Sequence, residues 1–290
     1  MMRSLLHLSW LVVVAASPVT AYARACQAPA ADASRIAVAG GSITEIIYEL
    51  GMEDRLVAVD RTSNYPVAAT GLPSLGYVRA VSAEGLLALN PTLVLGEHDT
   101  GPPEVLAQMA AAGLPLVIVP EVHTIEGIFA KVDCVAQVID APDEAVDRLK
   151  ARMNTQVARL ATLGRTDVRA AILLNLTEGV PLGGGADTSA EGVLAMAGAS
   201  NVFAAFQGWK PISLESMVQM NPDVLVMPTR GIASAGGRQA VLANPSVKLT
   251  QAGRHGHLID VDGMSLLGFG PRTLSTAVTL AESFSDLGGQ

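Results

Sequence analysis

Two side chains with chemistry to offer stand two residues apart in Gly76-Tyr77-Val78-Arg79. In extended backbone that spacing sends both to one face, so the Tyr77 phenol and the Arg79 guanidinium leave together. A phenol ordinarily ionises near pH ~10, and a nearby cation or ferric ion favours its phenolate. The phenolate is a hard, anionic ligand for ferric iron, the iron of a haem included. A loop tyrosine that only packs its ring and hydrogen-bonds its hydroxyl is the commoner case. The rest of the chain has to decide between them.

Two acids share a setting elsewhere. Ser82-Ala83-Glu84 followed by Leu89-Asn90-Pro91 recurs as Ser213-Leu214-Glu215 followed by Met220-Asn221-Pro222, with Ser, Glu, Asn and Pro all displaced by the same 131 positions. Order kept at one offset argues for an internal repeat, hence two units of one plan. Each Glu falls in the first turn of a helix, where the positive dipole end favours a carboxylate, so capping is its local role. Arg230 follows a strand directly and is a second cationic candidate. His98, His123, His255 and His257 are scattered, and each alone is more often structural than a ligand. There is no G-x-S-x-G elbow, no H-E-x-x-H and no phosphate loop, which argues against an exported hydrolase. A purely structural partner fits the two-unit plan poorly.

The elements that must position these residues alternate. Apolar runs at Ile36–Ala39, Leu56–Val59, Thr92–Leu95 and 114–119 read as strands. Helices are expected from Ser42, with Glu45 completing a capping box, at 103–112 and at 125–139. Strands alternating with helices indicate βαβ units and a parallel sheet. Residues 143–163 then carry apolar side chains at intervals of three and four among seven charges, the pattern of one helix with a single buried stripe. The second half repeats the plan, with strands at 168–174, 223–227 and 258–261 and a last helix launched at Pro271. The fold class is therefore α/β, with two Rossmann-like lobes joined by a single long helix and the ligand in the groove between them. The expected division is a signal peptide at 1–23, a flexible leader at 24–34, an N-terminal lobe at 35–141, the connecting helix at 142–164 and a C-terminal lobe at 165–290.

The opening residues read as an export signal, with Arg3, an apolar run at 5–16 and Ala21-Tyr22-Ala23 for cleavage. Lipid attachment at Cys26 ranks lower, because Ala23 rather than leucine stands three before it. Cys26 and Cys134 allow one pairing, which an oxidising compartment permits. Cys134 on a helix reads equally well as a small buried hydrophobe. A net charge of −8 with no basic run argues against nucleic acid as a partner. Only 4 % of residues are aromatic, too few for a site built mainly on ring stacking.

The Tyr77 segment resembles the ligand-bearing stretch of bacterial periplasmic haem-binding proteins. The twin lobes resemble the wider family of substrate-binding proteins for haem, cobalamin and iron–siderophore import, over residues 35–285. That resemblance implies a monomeric, periplasmic, non-enzymatic protein that carries haem to the membrane permease of an ABC importer. It implies Tyr77 as iron ligand, Arg79 close to the haem, and permease docking by Glu84 and Glu215, one per lobe. Some members add a histidine after the first strand of the second lobe. Here Thr177-Glu178-Gly179 stands at that place, so Glu178 becomes a pocket candidate and Tyr77 the sole expected protein ligand. Arg230 is placed in the pocket by its position alone. Cobalamin or a ferric siderophore is the alternative cargo on the same scaffold.

Overall fold

The computed structural model describes residue 26 and residues 28–288. The expected signal peptide lies outside the described residues. The first lobe runs β1 (Ile36–Ala39), α1 (Gly41–Glu49), β2 (Leu56–Val59), β3 (Gly76–Tyr77), β4 (Ala80–Val81), α2 (Ala83–Leu87), β5 (Leu93–Gly96), α3 (Pro103–Ala111), β6 (Leu116–Ile118) and α4 (Ile125–Val138). Its sheet has the order β2-β1-β5-β6, all parallel, with β3 and β4 forming a separate hairpin. A single long helix, α5 (Asp143–Leu163), leads to the second lobe.

There β7 (Arg169–Thr177), β8 (Val180–Gly184), α6 (Ser189–Met196), β9 (Ser200–Asn201), β10 (Trp209–Pro211), α7 (Leu214–Met220) and β11 (Val224–Pro228) follow in turn. Then come α8 (Thr229–Ser234), α9 (Arg238–Ala243), α10 (Gln251–His255), β12 (Leu258–Val261), α11 (Gly263–Leu267) and α12 (Pro271–Gly288). The second sheet has the order β10-β8-β7-β11-β12, with β9 also on β7. Its β8 and β10 are antiparallel additions to a parallel centre.

Successive strand residues enter different cores, as a period of two requires. Ile36, Val38, Leu93 and Leu95 face inward with Ala170, Ile172, Val224 and Val226 of the second lobe, in one apolar cluster that also takes Leu149, Met153 and Leu160 of α5. Ala37, Ala39 and Val94 face a first-lobe cluster, and Ala171, Leu173, Leu225 and Met227 a second-lobe one. The two lobes therefore share an interior. The charged side of α5 pairs with both, through Lys150 to Asp133, Arg152 to Glu49 and Arg159 to Glu282.

The repeat extends beyond its sequence signature. Ser82 and Ser213 both cap their helices, accepting from the amides of Gly85 at 3.2 Å and Ser216 at 3.1 Å. Asn90 and Asn221 both take positive φ, 46° and 42°, turning the chain out of the helix. Arg35 and Arg169, at the starts of the inner strands β1 and β7, close the same gap: Arg35 donates to the carbonyls of Leu89 and Asn90, and Arg169 to those of Met220 and Asn221. Even the backbone amides of the two arginines find equivalent acceptors, Thr92 Oγ1 at 3.1 Å and Asp223 Oδ2 at 2.9 Å.

The expected capping box at α1 does not form. Gly40 is the cap, and Ser42 and Glu45 turn away to bonds across the molecule. Gly41 tolerates no side chain, since a Cβ there would stand 2.5 Å from the Thr62 carbonyl oxygen. Cys26 is disulfide-bonded to Cys134, so the free-thiol reading of Cys134 gives way. The sulfur of Cys26 is then not available for a lipid thioether. Ala30 also donates to the Val138 carbonyl at 2.8 Å, so the described part of the stretch expected as a flexible leader is irregular but tied to α4.

Candidate functional site

Tyr77 and Arg79 sit on the β3–β4 hairpin, whose turn is Val78-Arg79. Val78 is 3 % exposed and plugs into the first-lobe cluster with Leu75 and Val81. With the middle residue anchored inward, Tyr77 stays half-buried and Arg79 exposed. The pair meets through a tight turn, not through the extended backbone expected. Arg79 Nη1 donates to the Tyr77 hydroxyl oxygen at 2.5 Å. Its Nη2 lies 2.6 Å from Asp99 Oδ2, a partner the sequence reading missed.

Backbone bonds pin this hairpin to the carboxyl end of the first sheet. The Arg61 amide, just past β2, donates to the Gly76 carbonyl at 2.8 Å. Gly101, just past β5, donates to Val78 at 3.0 Å and accepts from Val81 at 2.9 Å. The second lobe meets the same end with the segment after β12. His123 packs at a tilt against Phe269 with ring centroids 4.8 Å apart, and Lys131 donates to the Gly268 carbonyl at 3.0 Å. The two sheets thus face each other across their strand carboxyl ends, where open α/β sheets bind ligands.

A charged network lies beneath. Lys131, 1 % exposed, donates to Ser42 Oγ at 3.0 Å and Glu121 Oε2 at 2.6 Å, and Ser42 donates to Glu97 Oε1 at 2.6 Å. His123 Nε2 lies 3.0 Å from Glu121 Oε1. Burial lifts the Glu97 carboxyl to about 7 against the pull of the Lys131 ammonium, with the charge of Glu121 adding to the rise. Glu121 is pulled down to about 2: burial opposes, but the hydrogen bond from His123 and the charge and hydrogen bond of Lys131 outweigh it. Nearby, Arg272 of the second lobe bonds Glu45 Oε2 at 2.6 Å and Asp262 Oδ1 at 3.1 Å and covers the Tyr65 ring at 3.8 Å. Burial still raises the Glu45 carboxyl despite that arginine. Lys131 was readable in principle, since a lysine among Ile128, Val132 and Val135 breaks an apolar stripe.

Arg230, Glu178, Glu84 and Glu215 are exposed and make no salt bridge among the described residues. Arg230 stands in α8, two residues past β11. Glu178 occupies the β7–β8 turn with φ of 51°, next to Gly179 at 82°. Glu84 and Glu215 lie in the first turns of α2 and α7, and the backbone amide of Glu215 with Ser213 holds its carboxyl below the usual range. His123 is spent on Glu121 and Phe269. His98 is exposed, 3.8 Å from Glu121 Oε1. His255 and His257 lie at the amino end of the second sheet, beside a cavity of about 660 Å³ far from the hairpin's end of the strands. Among the described residues no group of three or more His, Cys, Asp or Glu is placed to hold a metal ion.

Two α/β lobes facing across a groove at their strand carboxyl ends, with one helix between them, define a bilobal binding protein. The chain belongs to the periplasmic binding protein family, whose model matches residues 36–263. It is similar to the periplasmic heme-binding protein RhuT from Roseiflexus sp. RS-1 in apo form, with 36% identity and a TM-score of 0.83 over 89% of this chain and 100% of that one. It is similar to the periplasmic heme-binding protein BhuT in complex with two hemes, with 36% identity and a TM-score of 0.81 over 87% of this chain and 98% of that one. The vitamin B12-binding protein of Yersinia pestis (strain Pestoides F) is 30% identical over 203 residues, 69% of this chain and 71% of that protein.

Proposed function

We propose that this protein binds haem in the inter-lobe groove and delivers it to the membrane permease of an ABC importer, catalysing no reaction. Tyr77 supplies the phenolate to the ferric iron, and Arg79 holds the phenol oxygen. The observation that carries this reading is the arginine-bonded, half-buried phenol on a hairpin at the groove end of the first sheet. The guanidinium donates to the oxygen that the iron would take, and so fixes where that oxygen stands. The likeness to RhuT and BhuT supports the cargo. Arg230 and Glu178, after second-lobe strands, face the cargo from the other side, and Glu84 and Glu215 dock one lobe each onto the permease. The protein acts in the periplasm as a monomer, exported by residues 1–23.

The test is hemin titration followed in visible light. Native protein is expected to give a Soret band with tyrosinate-to-iron absorption, and Tyr77→Phe to weaken binding by more than roughly a hundredfold. Unchanged binding by Tyr77→Phe removes the ligand assignment. The similarity to vitamin B12-binding proteins favours a second reading, cobalamin in the same groove. Cobalamin binding that survives Tyr77→Phe, with no response to hemin, would establish it.

A further inference from the structure

Arg79 is 60 % exposed on its side chain, and a long arginine in that position samples many rotamers unless something holds it. Here Asp99 does, at 2.6 Å from Nη2, while Nη1 of the same guanidinium reaches the Tyr77 oxygen. We infer that Asp99 is a positioning residue of the haem site: it fixes the Arg79 fork so that one arm is aimed at the phenol oxygen. This rests on the reading of Tyr77 as iron ligand.

What places Asp99 is itself well anchored. It sits between Glu97, whose amide donates to the Ala39 carbonyl at 3.0 Å, and Thr100, whose amide closes a turn onto Glu97 at 3.0 Å. Thr100 Oγ1 reaches the Ala39 carbonyl at 3.3 Å, and Gly101 makes two backbone bonds to the hairpin. The central strand, β5, thus presents a carboxylate at a fixed height beside the turn. Its other oxygen, Oδ1, is buried and has no hydrogen-bond partner among the described residues. A carboxylate left half-satisfied is a poor device for stability. A carboxylate at this place is accounted for by what its second oxygen does for Arg79. The pairing also engages the guanidinium on both arms.

The test compares hemin binding by Asp99→Ala, Arg79→Ala, the double variant and Asp99→Asn, with tyrosinate-to-iron absorption read alongside affinity. Asp99→Ala and Arg79→Ala are each expected to weaken binding by about tenfold and to shift that absorption in the same direction. The double variant should be no weaker than Arg79→Ala alone, because Asp99 acts through the arginine. Asp99→Asn, which keeps an acceptor at the same place, should restore most of the affinity and the native band, and it remains a test if the alanine variant does not fold. Native-like or tighter binding by Asp99→Ala, or losses that simply add in the double variant, overturns the inference. If native protein shows no tyrosinate band with hemin, or Tyr77→Phe retains it, the ligand reading has failed first and this inference falls with it.

Discussion

Lys131 has all three ammonium protons spoken for, by Ser42, Glu121 and a carbonyl of the opposite lobe. Removing it strands two buried acids. Lys131→Met is therefore expected to cost on the order of 3–5 kcal/mol in denaturant unfolding, and exchanging Glu121 for leucine as well should recover much of it. Glu97 gives a signed dependence on pH. Its folded value of about 7 lies above the 4.5 of an ordinary glutamate, so between those values the native state holds a proton the unfolded chain has released. Its contribution is present in full below about 4.5 and is lost as pH rises through 7. Glu97→Gln should lack that decline, so its melting temperature relative to native should climb from pH 5 to pH 7. Glu121, depressed to about 2, acts oppositely: its stabilising contribution is lost as pH falls below 4.5. A curve of melting temperature against pH that runs parallel for native and Glu97→Gln would refute the assignment.

At the scale of elements, the repeated helix ends make a paired prediction. Asn90 and Asn221 hold backbone that glycine adopts freely and alanine resists, so Asn90→Ala should cost about 1 kcal/mol while Asn90→Gly costs little, whereas both changes at Asn221 also lose the bond its Oδ1 accepts from the Gln251 amide. Denaturant midpoints of the four variants decide it. The same elements show what the sequence makes legible. Strands such as Ile36–Ala39 and Leu56–Val59 and the helix Asp143–Leu163 were readable to the residue, because an uninterrupted apolar run or a buried stripe declares itself locally. The β8–β10 additions were not, because Val180–Gly184 holds Pro181 and two glycines and reads as loop. Gly183 is there for close approach, since a Cβ would meet Phe203 at 2.7 Å. Glu178 was noticed for the histidine it replaces, yet its backbone is set by a turn with two successive positive φ values, the geometry hairpins prefer. In the site, Tyr77 and Arg79 were legible as neighbours. Asp99 was not, because it depends on where β5 ends relative to a hairpin twenty residues away in sequence. Ser42 and Glu45 misled for a related reason: their spacing matches a cap, but partners in distant segments outcompeted the helix end.

The whole molecule has one interior running through both lobes, with α5 laid along it and the Glu45–Arg272 pair bridging across. Thermal unfolding is expected as a single transition, with calorimetric and van't Hoff enthalpies in agreement, and two separated transitions would show that the lobes fold independently. Cys26–Cys134 spans 108 residues of sequence, so its reduction should lower stability by about 2–5 kcal/mol, read as a shift in denaturant midpoint. The shared interior also bears on discharge. A receptacle whose halves are cast together does not yawn open on its own. Under the docking proposed above, emptying it becomes the receiver's task, achieved by levering on both rims at once, and cargo left in solution with the protein alone should escape slowly.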